Sequence, residues 1–386
     1  MNVGSFAERI GRYRRALDFG AEQIRRLVTN YPNYFPLFTR NGKWKHESEA
    51  WTNWCEGFLG GLLWIYAVRT GDKWWREQAE HYSCLIEDRQ NDRTVHDLGF
   101  LFLPTWKVWF QQTNDPAKQK VVVQAGRTLA LRFNQTGRYL RSFVAPESLF
   151  IDIMMNVPII IEAGLITGEQ DLVEIGTEHC LTTRRFLVRG DGSTSHEGIF
   201  DLQSGEFLRQ TTHQGWRNDS SWARGQAWAL YGFSQVFELT GDSRFLDTAG
   251  RCAEFYIRRT PAHGVPPNDW EEPNSGRSGS TELAEVLGEG GTYESSAAAI
   301  AARGFWHLAG QVDDTAQRDH YQKYACRILD TLCDPEFLAT DTPGWEGILK
   351  HGIYHQRKGL GVDESVMWGE YFFVDALDQV VGRGMD

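Results

Sequence analysis

The chain has no C-x-x-C pair. Its six cysteines, Cys55, Cys84, Cys180, Cys252, Cys326 and Cys333, are scattered through 386 residues without metal-type clustering. That spacing excludes the common zinc and dithiol motifs and reads as small buried hydrophobes in a reducing compartment. There is also no P-loop, no nucleotide-binding glycine fingerprint, no H-E-x-x-H and no G-x-S-x-G elbow. What remains is chemistry by side chains alone, with no metal and no cofactor expected. Positive charge is scarce, with 40 Lys and Arg against 51 Asp and Glu for a formal net charge of −11. No basic stripe appears, so nucleic acid is excluded as an expected partner. An anionic substrate has to be held by locally placed Arg and His. Long apolar runs are missing too. The stretch 151–161 carries Asp152 and Asn156 and is too short to span a bilayer. The start, MNVGSFAERIGRYRRALDFG, is amphipathic and lacks the apolar centre of a signal peptide, so the cytoplasm is the expected location.

Aromatic residues are plentiful instead: 15 Trp, 13 Tyr and 22 Phe. Such an excess indicates a large core or a sugar-stacking cleft, and the core is the commoner use. Helical periodicity dominates, as in ERIGRYRRALDFGAEQIRRLV and EGFLGGLLWIYAVRTG, and only 12 prolines interrupt it. A polar junction recurs between apolar helices at RTGDKWWREQAEHY, QTNDPAKQKVVVQA, ITGEQDLVEIGTEHC, LTGDSRFLDTAGRCAEFY and QVDDTAQRDHYQKYA. In each, an Asp, Asn or Thr is placed to cap the incoming helix. Spacings of 43 to 73 residues suit helical hairpins with inserted loops. The reading is an all-α chain, one domain over 1–386, whose hairpins close into an α/α barrel rather than an open solenoid. Strand-like alternation is confined to short pieces such as GIFDL (198–202). Three long irregular segments, 190–221, 261–293 and 342–366, are expected to carry function.

Four stretches carry candidate chemistry. In TVHDLGFLFLP, His96 and Asp97 precede an apolar run, and helix capping is the plain role for Asp97. In LFIDIMMNVP, Asp152 sits among apolar neighbours, where an ionised carboxylate is costly without a partner. Capping is open to it as well, although Pro158 tolerates only a first turn or a kink. Carboxylates at two helix starts share one rim of an α/α barrel, where a pair serves acid and base work on glycosidic bonds. In HQGWRNDSSWARGQAWALYGF, Arg224 lies between Trp222 and Trp228 and needs a pairing or stacking partner. In EAWTNWCEGFLGG, Trp51, Trp54 and Phe58 form an aromatic stripe that suits core packing.

Taken in order, WCEGFLGGLLWIYAVRTGD, HDLGF, IDIMMNVPIIIEAGLITGEQDL, TRRFLVRGDGSTSHEGIFD, THQGWRNDSSWARGQAWALYGF and WGEYFFVDAL resemble an unsaturated glucuronyl hydrolase of glycoside hydrolase family eighty-eight. The resemblance runs from about residue 50 to 378, and HDLGF with SSWARGQAW is its most specific part. It implies an (α/α)6 barrel of six hairpins and an unusual reaction. The substrate is an unsaturated uronyl saccharide left by a polysaccharide lyase. Its C4=C5 enol ether is hydrated, and the resulting hemiketal opens and expels the other sugar. Asp152 matches the general acid and base, and Asp97 the second essential carboxylate. Trp54 and Phe58 match aromatics under the sugar ring. His96, His196, His213, Gln214, Arg224, Trp228, Tyr354 and Trp368 match positions around the substrate. One departure is Trp54-Cys55-Glu56-Gly57-Phe58, where the family commonly has Trp-Thr-Asp-Gly-Phe; it falls on the aglycone side or its support. The loop 266–293 is longer than the resemblance leads one to expect. An unsaturated rhamnogalacturonyl-type hydrolase shares the fold and the chemistry. A conventional (α/α)6 glycosidase, a histidine-based epimerase and a non-catalytic sugar-binding protein are the other readings.

Overall fold

The structure, a computed structural model, describes residues 6–47, 52–272 and 293–383. Its helices fall into two sets. Among the described residues, six are outer helices: Phe6–Asn30, Lys73–Leu85, Pro116–Ala130, Gln170–Phe186, Ser243–Arg259 and Thr315–Leu332. These are amphipathic. Ser243–Arg259 buries Phe245, Thr248, Ala249, Cys252, Ala253, Phe255 and Tyr256 at helical spacing and turns its charges outward. The inner set comprises Glu56–Thr70, the run Leu98–Thr113, Pro158–Thr167, Ala223–Thr240, Ser295–Ala309 and Met367–Arg383. Inner helices are apolar nearly all round, as in PIIIEAGLIT, because they meet neighbours on every side.

Each inner helix contacts the next, and Met367–Arg383 returns to Glu56–Thr70 to close the ring. The result is the (α/α)6 barrel. The first helix completes the outer layer: Tyr13 donates to the Cys326 carbonyl at 3.0 Å, and Arg9 pairs with Asp330 at 3.0 Å. Among the described residues, no helix is long and apolar enough to cross a membrane.

The junctions obey one local rule. Thr70 donates its hydroxyl to the Tyr66 carbonyl at 2.6 Å, Gly71 turns at φ +67°, and Asp72 accepts from the Trp74 amide at 2.8 Å. Thr240, Gly241 and Asp242 repeat the pattern, and Asn114 takes the glycine's place between Thr113 and Asp115. The threonine and the left-handed residue therefore end the outgoing helix; it is the aspartate that caps the incoming one. Glu169 occupies the capping position after Thr167 and Gly168 without a side-chain cap, and Asp314 caps the last outer helix through the Gln317 amide at 2.7 Å.

These tight turns hold one end of the barrel. The opposite end carries the irregular segments. A three-stranded antiparallel sheet joins Ser148–Phe150, Glu197–Phe200 and Phe207–Thr211, with Phe150 opposite Glu197 and Glu197 opposite Thr211. The strand expected at 198–202 thus begins at Glu197 and ends before Asp201. A second hairpin pairs Gly352–His355 with Leu360–Glu364. Most of the loop 261–293, including its expected extra length, lies outside the described residues.

A close backbone approach joins HDLGF to IDIMMN. A Cβ on Gly99 would lie 2.4 Å from the Asn156 Cα and 2.8 Å from its carbonyl oxygen. Neither backbone can yield without separating two helix starts. Gly99→Ala is expected to lower the unfolding free energy by about 1–3 kcal/mol through overpacking. Denaturant unfolding monitored by tryptophan fluorescence reads this directly, and a wild-type midpoint would contradict the contact.

Candidate active site

Both carboxylates stand where helices begin, yet neither caps one. Asp97 occupies the position before Leu98–Phe102 and makes no side-chain capping bond. Asp152 lies in the first turn of the 3-10 segment Ile151–Met155, again without a cap. The capping reading is therefore corrected for both. Pro158 sits in the first turn of its helix, the place where its missing N–H costs nothing. Asn156 ties the two segments together: its Oδ1 accepts from the Phe100 amide at 2.8 Å, and its Nδ2 donates to the Asp152 carbonyl at 3.2 Å.

Asp97 and Asp152 open on one cavity of about 350 Å³ at this end of the barrel. Trp54, His96, His213, Gln214, Arg224, Trp228 and Tyr354 share its lining. Three anticipated residues do not. Phe58 is 1% exposed and packs edge-on beneath Trp54 at 6.0 Å, because it belongs to the first turn of Glu56–Thr70 and turns into the core. Trp368 is a backing residue, 4.8 Å behind Trp54, with its indole N–H bonded to Ser296 Oγ at 2.8 Å. His196 stands behind Asp152, with Nε2 3.8 Å from Oδ1.

Arg224 is buried and heavily paired. It donates to the Ile353 carbonyl, to Gln214 Oε1 at 2.5 Å and to the Tyr354 carbonyl at 2.9 Å. Its guanidinium lies over Trp222 at 4.5 Å and Trp368 at 4.9 Å, and Glu294 is 3.6 Å away. Glu294 in turn caps Ser295–Ala309 through the Ser296 and Ala297 amides. One cation thus joins an inner helix, the loop at 214 and the hairpin at 353.

Electrostatics separate the two acids from ordinary carboxylates. Burial pushes Asp97 up to about 8, with the neighbouring Asp152 charge adding to it. Burial also raises Asp152, to about 6, and Arg224 and His213 restrain the rise. The Asp97 side chain is 6% exposed and that of Asp152 15%, so Asp152 is the more open to the cavity. The larger shift on Asp97 was not anticipated; it follows from deeper burial away from Arg224. His213 is raised by its hydrogen bond to Glu197, at 3.1 Å.

Several lining residues escaped the sequence reading as site members: Thr52, Phe143, Val144, Phe150 and Trp222. Trp222 adjoins a named candidate, and His355, which falls with Tyr354 in a motif matching the family, also lines the cavity. Phe143 and Val144 carry no signal, since RSFV resembles any loop. Glu197 and Glu294 were also missed, and each supports a wall residue. Arg357 and Lys358, in the loop HQRKGLGVDES, suit either a sulfate or second acid group or a solvated surface; both are exposed, and Lys358 reaches the cavity rim. Cys55 and Glu56 lie behind the wall: the thiol faces the Pro36 carbonyl at 3.7 Å, and Glu56 pairs with Arg89 at 2.7 Å. The departure at Cys55-Glu56 therefore alters support.

Residues 26–260 match Glycosyl Hydrolase Family 88. The chain is 31% identical over 373 residues to an unsaturated glucuronyl hydrolase of Bacillus sp. strain GL1, covering 94% of each. It is 28% identical over 337 residues to an unsaturated chondroitin disaccharide hydrolase of Streptococcus pneumoniae, covering 84% of this chain and 81% of the relative. Among solved structures, the Bacillus sp. GL1 unsaturated glucuronyl hydrolase superposes with a TM-score of 0.87 at 29% identity, over 96% of this chain and 97% of that one. An unsaturated glucuronyl hydrolase specific for heparin gives 0.88 at 27%, over 97% and 98%.

The raised acids make stability depend on pH with a definite sign. Below about pH 4 both are protonated whether folded or unfolded. Above that, the unfolded chain releases protons that the folded state keeps, so stability falls as pH rises through 6 for Asp152 and 8 for Asp97. Asp152→Asn removes its share, on the order of 3 kcal/mol. The variant should equal the wild type near pH 4 and surpass it in melting temperature at pH 8. A difference that does not change with pH would refute the assignment.

Proposed function

This chain belongs to glycosyl hydrolase family 88, and we propose on that premise that it hydrates the C4=C5 enol ether of an unsaturated uronyl di- or oligosaccharide. It is a glycoside hydrolase by family. The observation that carries the finer reading is the pair of raised carboxylates opening on one aromatic-walled cavity. Hydration needs an acid that holds a proton near neutrality and a carboxylate that then takes one from water.

Asp152 suits both steps. As the acid it protonates C4, leaving oxocarbenium character at C5. As the carboxylate so formed it accepts a proton from the water that adds there. The hemiketal then opens and expels the other sugar. Asp97 remains protonated to higher pH and serves as a hydrogen-bond donor and acceptor for sugar hydroxyls. Trp54, Trp222 and Trp228 offer ring faces to the sugar. Arg224, His213 and Lys358 supply positive charge for the uronate and for any acidic group on the leaving sugar, against the net charge of −11. We assign the whole chain to one catalytic barrel in the cytoplasm. The six free cysteines, five of them buried, favour a reducing compartment.

A lyase-generated unsaturated disaccharide should lose its near-ultraviolet absorbance on incubation with the enzyme, because hydration removes the conjugated double bond. Release of sugar from saturated glycosides without that loss would favour a conventional glycosidase. Asp152→Asn should lower kcat at least about a thousandfold while circular dichroism stays unchanged; a rate near wild type would end the assignment. Activity should also decline as pH rises past about 6, where Asp152 gives up its proton. A profile flat to pH 9 would contradict Asp152 as the acid.

A further inference from the structure

Two histidines share an arrangement. The Nδ1 of His196 accepts from the His213 amide at 3.1 Å and the Gln214 amide at 3.4 Å, with Thr212 Oγ1 at 3.1 Å. Backbone amides only donate, so this Nδ1 carries no proton and the ring's single N–H is at Nε2. Nε2 faces Asp152 Oδ1 at 3.8 Å, and both atoms are buried without another hydrogen-bond partner among the described residues. At the other acid, His96 Nδ1 accepts from the Phe143 amide at 3.0 Å, and its Nε2 lies 3.4 Å from Asp97 Oδ1. Both rings pack on Phe150, at 4.7 and 5.7 Å.

We propose that His196 and His96 are positioning residues, each a neutral imidazole whose Nε2–H is aimed at its own carboxylate, His196 at Asp152 and His96 at Asp97. The proposal rests on the hydration reading for its kinetic consequence. A cation in either place would ionise the acid before it could protonate carbon. A neutral N–H stabilises the carboxylate without that penalty, at the moment Asp152 has surrendered its proton. Neither ring can become imidazolium while donors occupy Nδ1, and burial together with the nearby charges holds both well below the usual histidine range. The groups facing His196 and Asp152 are Arg224, His213, Glu197, His355 and His96. Arg132 and His179 act on His96. His196 accordingly need not touch the sugar, which fits its absence from the cavity lining.

His196→Asn keeps an acceptor for the backbone amides and removes the donor beside Asp152, and His196→Gln returns a donor at that place. For His196→Asn, kcat should fall about 10- to 100-fold with KM within about threefold. The alkaline limb of its pH profile should move to higher pH, and His196→Gln should restore part of both. A raised KM with an unmoved limb would make His196 a substrate contact, and a lowered melting temperature without either change would make it structural; both overturn the proposal. Independently of turnover, nitrogen–proton correlation spectra of histidine-labelled protein should show both rings, beside that of His179, as Nε2–H and neutral from pH 5 to 8. Their signals should be identified by loss in His196→Asn and His96→Asn. Rings that titrate in that range or carry Nδ1–H would refute it. If the wild type leaves the unsaturated disaccharide intact, the hydration reading fails, and the spectra still decide the tautomers.

Discussion

The approach of Gly99 to Asn156 is the constraint on which the rest of the active end depends. HDLGF and IDIMMN start neighbouring inner helices, and only a residue without a side chain lets the two backbones meet. Asn156 completes the join by bonding to both segments, so the turn bearing Asp152 cannot drift from the helix that follows Asp97. Gly57 acts from the next inner helix in the same way, its missing Cβ leaving 2.2 Å to the Phe100 carbonyl. Two carboxylates are thereby held in one largely buried wall. Their raised proton affinities are consequences of that placement rather than separate adjustments.

Holding acids in such a wall destabilises the fold above their ordinary range, and the surroundings limit the damage. Arg224 restrains Asp152 but is itself committed to Gln214, two hairpin carbonyls and Glu294. A buried ion pair of this kind adds little net stability, but it specifies which elements meet. Removing Arg224 would leave Glu294 uncompensated and free the hairpin that brings Tyr354, His355 and Lys358 to the cavity. Charge, position and specificity are therefore coupled through a single guanidinium.

How much was legible depends on whether a residue's role is local. The Thr-Gly-Asp junctions were readable, since capping and left-handed turns are decided within four residues; only the division of labour between Thr and Asp needed the coordinates. Helical periodicity indicated an α/α barrel for the same reason, and the resemblance supplied the number of hairpins. Asp97 shows the opposite case. Its local sequence setting is that of a cap; the resemblance implied another use, and the absent capping bond removes the first. Phe58 and Trp54 read as one aromatic stripe, yet the helix begins between them and sends one ring to the core and the other to the cavity. Glu197 and Glu294 were invisible because their partners, His213 and Arg224, are supplied by other segments. Lys358 reaches the rim through a hairpin that no local pattern places there.

The two ends of the barrel divide the work in a way that suits an anionic substrate. At the end with short turns, neighbouring inner helices are clasped by Arg69 with Asp378, Arg303 with Asp375, His307 with Glu238 and Lys107 with Glu162. Those pairs use up the charges at the helix C-termini. At the active end the inner helices present their N-termini, each carrying a partial positive charge from aligned peptide dipoles. Thr52 and Trp54 precede one such terminus, His96 and Asp97 a second, and Trp222 a third, and all of these residues line the cavity. A protein of net charge −11 thus adds the potential of helix dipoles to that of Arg224, His213 and Lys358 at one pocket. Dipoles fall off within a turn, so the uronate at the mouth gains from them more than a distant solute does. Selectivity for an acidic sugar and a protonated catalytic acid can then coexist in one cavity.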